Sequence, residues 1–244
     1  MSQLTPHDRR LQSELEGIKK LMQDSSFFHF ETEDTFLPEE YTAIFTCLGL
    51  IAKPPALNSE WRQTVESHQK LTGQLPPWLG NKHVAHIYLP RDYPAMPPQV
   101  RFLTPIFHPN IKTLTEDEWV HLAGNQVGNV EQVRQALETH PELRKKMREQ
   151  LATYICLDEL KPPREGGNYS PRLTLYDICC ELGQMIMLKR YNLKDPLDRD
   201  AATWVYAALQ RSSLPIDTRS FLDRVPLVKT VIDPSPIIQV LSVE

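Results

Sequence analysis

Tyr93-Pro94-Ala95-Met96-Pro97-Pro98-Gln99-Val100-Arg101-Phe102 (residues 93–102) separates two apolar runs, and its prolines set how the chain is laid out. Proline fixes φ and has no N–H to give to a ladder, so residues 93–98 read as a connection with strands on either side. The run 83–89 carries Val84, Ile87 and Leu89, and the run 99–104 carries Val100 and Phe102. Upstream, Phe27 to Phe30 and Tyr41 to Ile51 are rich in aromatic and β-branched residues with partial alternation, which predicts two more strands joined by an acidic turn near 32–40. Four strands in this order make an antiparallel meander. Residues 52–82 read as a long, proline-punctuated connection within it.

Helical spacing flanks the meander. Leu11, Leu15, Ile18 and Leu21 or Met22 form one stripe over 8–22, with a charged opposite face. Leu175, Ile178, Cys179, Leu182 and Ile186 form another over 174–188, where Thr174 with Asp177 has the form of a capping box. Ala201, Trp204, Val205, Ala208 and Leu209 mark a helix over 200–210, after the turn Asp195-Pro196-Leu197. Residues 112–152 read as a helical insertion: Val130, Val133 and Leu137 belong to one helix, and Pro141 starts a second with Leu143, Met147 and Leu151. The tail from 221 has strand-like runs broken by Asp233-Pro234-Ser235-Pro236. The expectation is an α+β fold in one domain over 1–244, with the insertion at 112–152 and a C-terminal extension at 212–244.

Composition sets limits on function. With 41% hydrophobic and 24% charged residues and a formal net charge of -4, the 244-residue chain suits a globular protein and gives no support for nucleic acid as a partner. No apolar run approaches the roughly 20 residues of a bilayer span, and the N-terminus lacks a signal-peptide core, so no membrane partner and a cytoplasmic location are expected. The four cysteines, Cys47, Cys156, Cys179 and Cys180, have no C-x-x-C spacing, so no metal site and no cofactor are expected, and the thiols are read as reduced. Cys179 and Cys180 lie on a helix, and Cys179, on its apolar stripe, reads as core. The 21 prolines against 9 glycines shape 94–109, 162–171 and 215–236 into extended or turning chain.

The motifs, taken in order, resemble the ubiquitin-conjugating enzymes, the E2 family. The matching residues are Tyr93-Pro94 with Pro97-Pro98 and Val100 to Phe102; Thr104 to Ile111 with His108-Pro109-Asn110; Ile155-Cys156-Leu157-Asp158; Ser170-Pro171-Arg172-Leu173-Thr174; and Asp195-Pro196-Leu197 before Ala201-Ala202. The resemblance covers roughly 8–210 and implies the ubiquitin-conjugating (UBC) fold. It departs from the family in the distance between Asn110 and Cys156, which residues 112–152 lengthen, and in Thr153, which replaces a frequent glycine.

The resemblance implies that Cys156 carries a ubiquitin-like protein as a thioester, received from an E1-type activating enzyme and passed to an amine of a target protein. A thiol suits that task because its thiolate is strongly nucleophilic and its ester stays reactive toward amines. Neither a His nor a Lys adjoins Cys156 in sequence to favour the thiolate. Asn110 reads either as an orienting residue of the active-site loop, as an oxyanion donor, or simply as a turn residue after Pro109. Asp158 and Asp195 are candidates for holding the incoming lysine; Asp195 also reads as the opening of a turn before Pro196. His108, Pro109, Ser170 and Pro171 are assigned to the structure of the site. By resemblance Arg9, Arg10, Lys19 and Lys20 on the first helix face the E1. Ala95 replaces a large apolar ligase contact and Arg172 a small residue, which puts the usual ligase surface in doubt. The divergence suits a microbial system, such as bacterial antiphage defence, that works without a ligase. Two other readings stand beside this one: a non-catalytic E2-variant scaffold binding a ubiquitin-like protein or another E2, and a cysteine hydrolase, for which no histidine is nominated by the sequence.

Overall fold

A computed structural model of the chain describes residues 4–55, 58, 60–113, 116–144 and 153–225. Helix α1, Pro6–Asp24, starts where Thr5 accepts from the Asp8 N–H and Asp8 returns the bond to the Thr5 N–H, a capping box with Pro6 in the first turn. It buries Leu11, Leu15, Ile18 and Leu21. Strands β1 (Phe28–Glu31), β2 (Glu40–Phe45), β5 (His83–Tyr88) and β6 (Gln99–Phe102) form an antiparallel sheet in the order β1-β2-β5-β6. The register sets Phe28 opposite Phe45, Ala43 opposite Ala85 and Ile87 opposite Val100, so alternate positions face the core while their neighbours face out.

The expected strand over 41–51 breaks in two. Phe45 ends β2, and the short β3, Gly49–Leu50, leaves the main sheet to pair with β4, Leu79–Gly80. Gly49 is required there because a Cβ would lie 2.6 Å from Ile186 and 2.9 Å from the Ile186 carbonyl oxygen. The expected connection over 52–82 holds a helix, α2 (Trp61–Thr72), closed by Gly73 in the left-handed region at φ 72. Only Trp61 and Val65 of α2 are buried, too few to make a stripe legible in sequence.

Strand β7, Ile111–Thr113, pairs antiparallel with β8, Thr153–Ile155, with Ile111 opposite Ile155. Between them come α3, Glu116–Val127, and α4, Val130–Thr139, capped by Asn129. Val120 and Leu137 bury a small core of their own with Trp119, Val130 and Val133. Residues 141–144 open a further helical turn; Met147 and Leu151 lie outside the described residues.

Helix α5, Leu175–Ile186, has the expected Thr174–Asp177 capping box, and α6, Arg199–Gln210, is capped by Asp198. The main core joins α1, α5 and the inner sheet face; a second core sets Trp61 and Val65 of α2 against Trp204, Val205 and Ala208 of α6. The extension does not stand apart over 212–225. Ile216 and Phe221 are buried, the Phe221 ring lies 6.0 Å from that of Phe45, and a Cβ at Gly183 would lie 2.4 Å from it. The strand-like runs expected beyond 225 lie outside the described residues. No helix among the described residues is long and apolar enough to cross a membrane.

Candidate active site

The β7–β8 ladder brings Asn110 and Cys156 together across the insertion. One residue beyond its end, the Cys156 N–H donates to the Asn110 carbonyl at 2.8 Å. Asn110 is buried and its side chain is used at both ends: Nδ2 donates to the Asn192 carbonyl at 2.9 Å, and Oδ1 accepts the Asn192 N–H at 2.6 Å. His108 is held as firmly. Its Nδ1 accepts the Asn110 N–H at 3.0 Å, which leaves Nε2 to donate to the Arg190 carbonyl at 2.9 Å and fixes a neutral tautomer. Burial pushes its pKa down to about 4, against the pull of the Arg190 carbonyl. The Pro109 carbonyl accepts the Asp198 N–H at 3.0 Å, tying the segment to the cap of α6.

Cys156 is half-buried and opens on a cleft of about 230 Å³ lined by Asn110, Leu157, Asp158, Met185, Arg190, Tyr191 and Asn192. Lys161 meets its sulfur, with Nζ 3.2 Å from Sγ. The sequence nominated no cation because none adjoins Cys156; the 3-10 turn Asp158–Leu160 folds the chain back and delivers one five residues later. The pKa of Lys161 is raised, first by the hydrogen bond to Cys156 and further by the charges of Asp158 and Asp195. Asp158 is exposed at the cleft wall, and its carbonyl accepts the N–H groups of Lys161 and Asn168. Asp195 is exposed and lies outside the residues that line the cleft, within electrostatic reach of Lys161. Arg190 pairs with Glu159 at 2.6 Å and with Glu181, fastening the turn after Cys156 to α5. Ser170 and Pro171 make the turn before Thr174: the Ser170 carbonyl accepts the Leu173 N–H at 2.9 Å. Cys179 is fully buried, and burial holds its thiol well above the ordinary range.

The sequence of this site now has relatives to be set beside it. The model of the family described as Ubiquitin-conjugating enzyme matches residues 53–117, which contain the Tyr93–Phe102 stretch and His108-Pro109-Asn110 and end before Cys156. Ubiquitin-conjugating enzyme E2 T of Danio rerio is 27% identical over 158 residues, 63% of this chain and 60% of that protein. Ubiquitin-conjugating enzyme E2 13 of Schizosaccharomyces pombe is 39% identical over 67 residues, 27% of this chain and 42% of that protein. This chain is a divergent member of the ubiquitin-conjugating enzyme family. It spans 60% and 42% of the lengths of those two conjugating enzymes. The solved structure of human ubiquitin-conjugating enzyme E2 G1 is 17% identical, with a TM-score of 0.39 over 76% of this chain and 98% of that one, a likeness too distant to add to the assignment.

For a ubiquitin-conjugating enzyme, the first helix is as notable for what it turns inward. Arg10, grouped by sequence with the outward bases, pairs with the buried Glu14 at 2.7 Å and donates to the Tyr93 hydroxyl and the Leu173 carbonyl at 3.0 and 2.6 Å. Glu14 also accepts the Tyr93 hydroxyl at 2.7 Å and the Leu175 N–H at 2.6 Å, joining α1, the proline loop and the start of α5. Arg9 remains exposed. Lys19 pairs with Glu16, and Lys20 lies 3.5 Å from Asp24 and over the Tyr176 ring. Ala95 is exposed on the proline loop, and Arg172 is exposed beside Ser170. Among the described residues no group of three metal-ligating side chains is assembled.

Proposed function

We propose that this conjugating-enzyme relative accepts a ubiquitin-like protein from an E1-type activating enzyme as a thioester on Cys156 and passes it to an amine of a target protein. The observation that carries the reading is the half-buried Cys156 thiol on an open cleft, its backbone bonded to Asn110 at 2.8 Å although an insertion separates the two. The Sγ attacks the carbonyl of the E1-bound thioester, and the target amine later attacks the same carbon. Asn110 supports this by bracing the loop through Asn192, and its Nδ2 has a second N–H for the oxyanion. Asp158 and Asp195 hold the incoming amine by hydrogen bonding and charge. Arg9, Lys19 and Lys20 form the outward, E1-facing part of α1, and four unbridged thiols suit a reducing cytoplasm.

The test is to incubate the protein with an E1, ATP and ubiquitin for short times. A reductant-sensitive adduct is expected, which Cys156→Ser converts to a reductant-resistant but hydroxide-labile ester. No adduct, or charging of Cys156→Ala, overturns the reading.

A further inference from the structure

Lys161 is more than a neighbour of the sulfur. Its N–H donates to the Asp158 carbonyl at 3.1 Å, and its carbonyl accepts the Tyr169 N–H at 3.0 Å. Tyr169 is buried and its hydroxyl donates to the Pro94 carbonyl at 2.8 Å, so the loop is pinned to the proline segment. Gly167 closes the loop from the other side: a Cβ there would lie 2.1 Å from the Lys161 carbonyl oxygen and 2.3 Å from the Lys161 Cβ. The backbone is thus held on both sides, and the side chain reaches from a fixed base to place Nζ 3.2 Å from Sγ. Reacting atoms held roughly 3 to 3.5 Å apart are in near-attack range, where effective molarities reach about 10⁵ M or more.

From this geometry we propose that Lys161 is a built-in acceptor: an acyl group carried on Cys156 passes to the Lys161 amine of the same molecule, which makes Lys161 a self-modification site. The proposal rests on the reading of Cys156 as an acyl carrier. The nitrogen lone pair of the neutral amine attacks the thioester carbonyl carbon; the C–N bond forms and the C–S bond breaks. The electron pair of the C–S bond leaves on Cys156 sulfur, which takes the proton released by nitrogen. The products are an amide on Lys161 and a free Cys156 thiol, with no oxidant or cofactor consumed.

Charging prepares the step. The hydrogen bond to Cys156 is the main support for the ammonium form of Lys161. Acylation removes that partner's capacity for charge, while Asp158 and Asp195 stay within reach to accept hydrogen bonds from the amine. Because an amide is far less reactive than a thioester, the transfer runs one way and leaves the acyl group parked in the cleft beside the regenerated thiol. An external acceptor therefore has to outrun Lys161, and a molecule that loses this race is closed to further turnover.

The experiment treats the full chain with N-acetylglycine thiophenyl ester as a chemical acyl donor, with no E1, and maps the adducts by peptide mass spectrometry. The expected result is an acetylglycyl amide on Lys161, formed at a rate independent of protein concentration and absent from Cys156→Ala. In Lys161→Arg the donor is expected to stop at Cys156 as a hydroxylamine-sensitive thioester that decays about tenfold more slowly or slower still. Gly167→Ala, which keeps the amine but displaces its base, is expected to slow the transfer. Equal Lys161 labelling in Cys156→Ala, or a wild-type thioester as long-lived as that of Lys161→Arg, overturns the proposal. A parallel arm with E1, ATP and ubiquitin separates the two readings. An amide from the small donor with no ubiquitin adduct sinks the conjugating reading alone, whereas ubiquitin charging with no amide at Lys161 from either donor sinks this one alone.

Discussion

Asn110 commits both ends of its side chain to the backbone of Asn192, so its removal acts first on loop order. Asn110→Ala leaves two peptide groups of Asn192 without their protein partners and should lower unfolding free energy by about 1–3 kcal/mol in urea titrations, with discharge slowed as a further effect. Asn110→Asp keeps an acceptor for the Asn192 N–H and should lose less stability; equal losses would deny the two-ended brace. Glu14 sets a larger stake because it is 1% exposed and binds Arg10, Tyr93 and Leu175 at once. Glu14→Ala leaves the Arg10 charge half-buried without its carboxylate and should cost about 3–5 kcal/mol by thermal unfolding. At this scale the sequence exposed part of the site. Cys156, Asn110 and His108 were legible from their flanking motifs, whereas Lys161 was hidden because a 3-10 turn, not adjacency, brings it to the sulfur. Arg10 was misread as outward because its helix position alone does not show that Glu14 and Tyr93 wait beneath it.

Helices with a broad buried face were the elements most legible in sequence. α1 and α5 declare themselves through four or more inward residues and a capping box, and α6 through its small apolar face. α2 escaped because two buried residues make no period, and the β7–β8 ladder escaped because three-residue strands so far apart in sequence carry no local signal. The insertion tests element autonomy. Gly124 of α3 lies so close to α4 that a Cβ would fall 2.4 Å from the Val130 Cα, which is backbone and cannot yield cheaply. Gly124→Ala should loosen the α3–α4 pair by about 1–3 kcal/mol. Faster hydrogen exchange confined to 116–139, with protection of α1 and α5 unchanged, is the expected result; loss of protection throughout would show that the pair and the main core unfold as one.

Acid sensitivity is a property of the whole molecule. His83 and His108 are buried, and burial takes both pKa values down to about 4, with the Gly80 and Cys47 backbones opposing the shift at His83 and the Arg190 backbone at His108. The unfolded chain binds these protons near pH 6.5, so stability is intact above that value and is lost as pH falls toward 4, by about 3 kcal/mol for each ring at the limit. The urea midpoint should therefore drop between pH 7 and pH 5 with little change in slope, and a flat midpoint would contradict it. Neither His83 ring nitrogen makes a hydrogen bond of good geometry, so His83→Leu should hold stability at neutral pH and remove about half of the acid loss. His108 differs, because protonating Nδ1 expels the Asn110 N–H and disturbs the cleft as well as the fold.

The ladder between Ile111–Thr113 and Thr153–Ile155 turns a long excursion of the chain into the loop of a hairpin. Strand pairing asks of a loop only that its two ends meet, and closure entropy grows by roughly 0.6 kcal/mol for each doubling of length. The segment between the strands is thus an exchangeable cassette: a two-residue turn, the present helices or an unrelated domain would each leave Asn110 bonded to Cys156. A lineage can rewrite whatever overlooks the thiol without touching the chemistry beneath it, and a protein engineer can use the same slot.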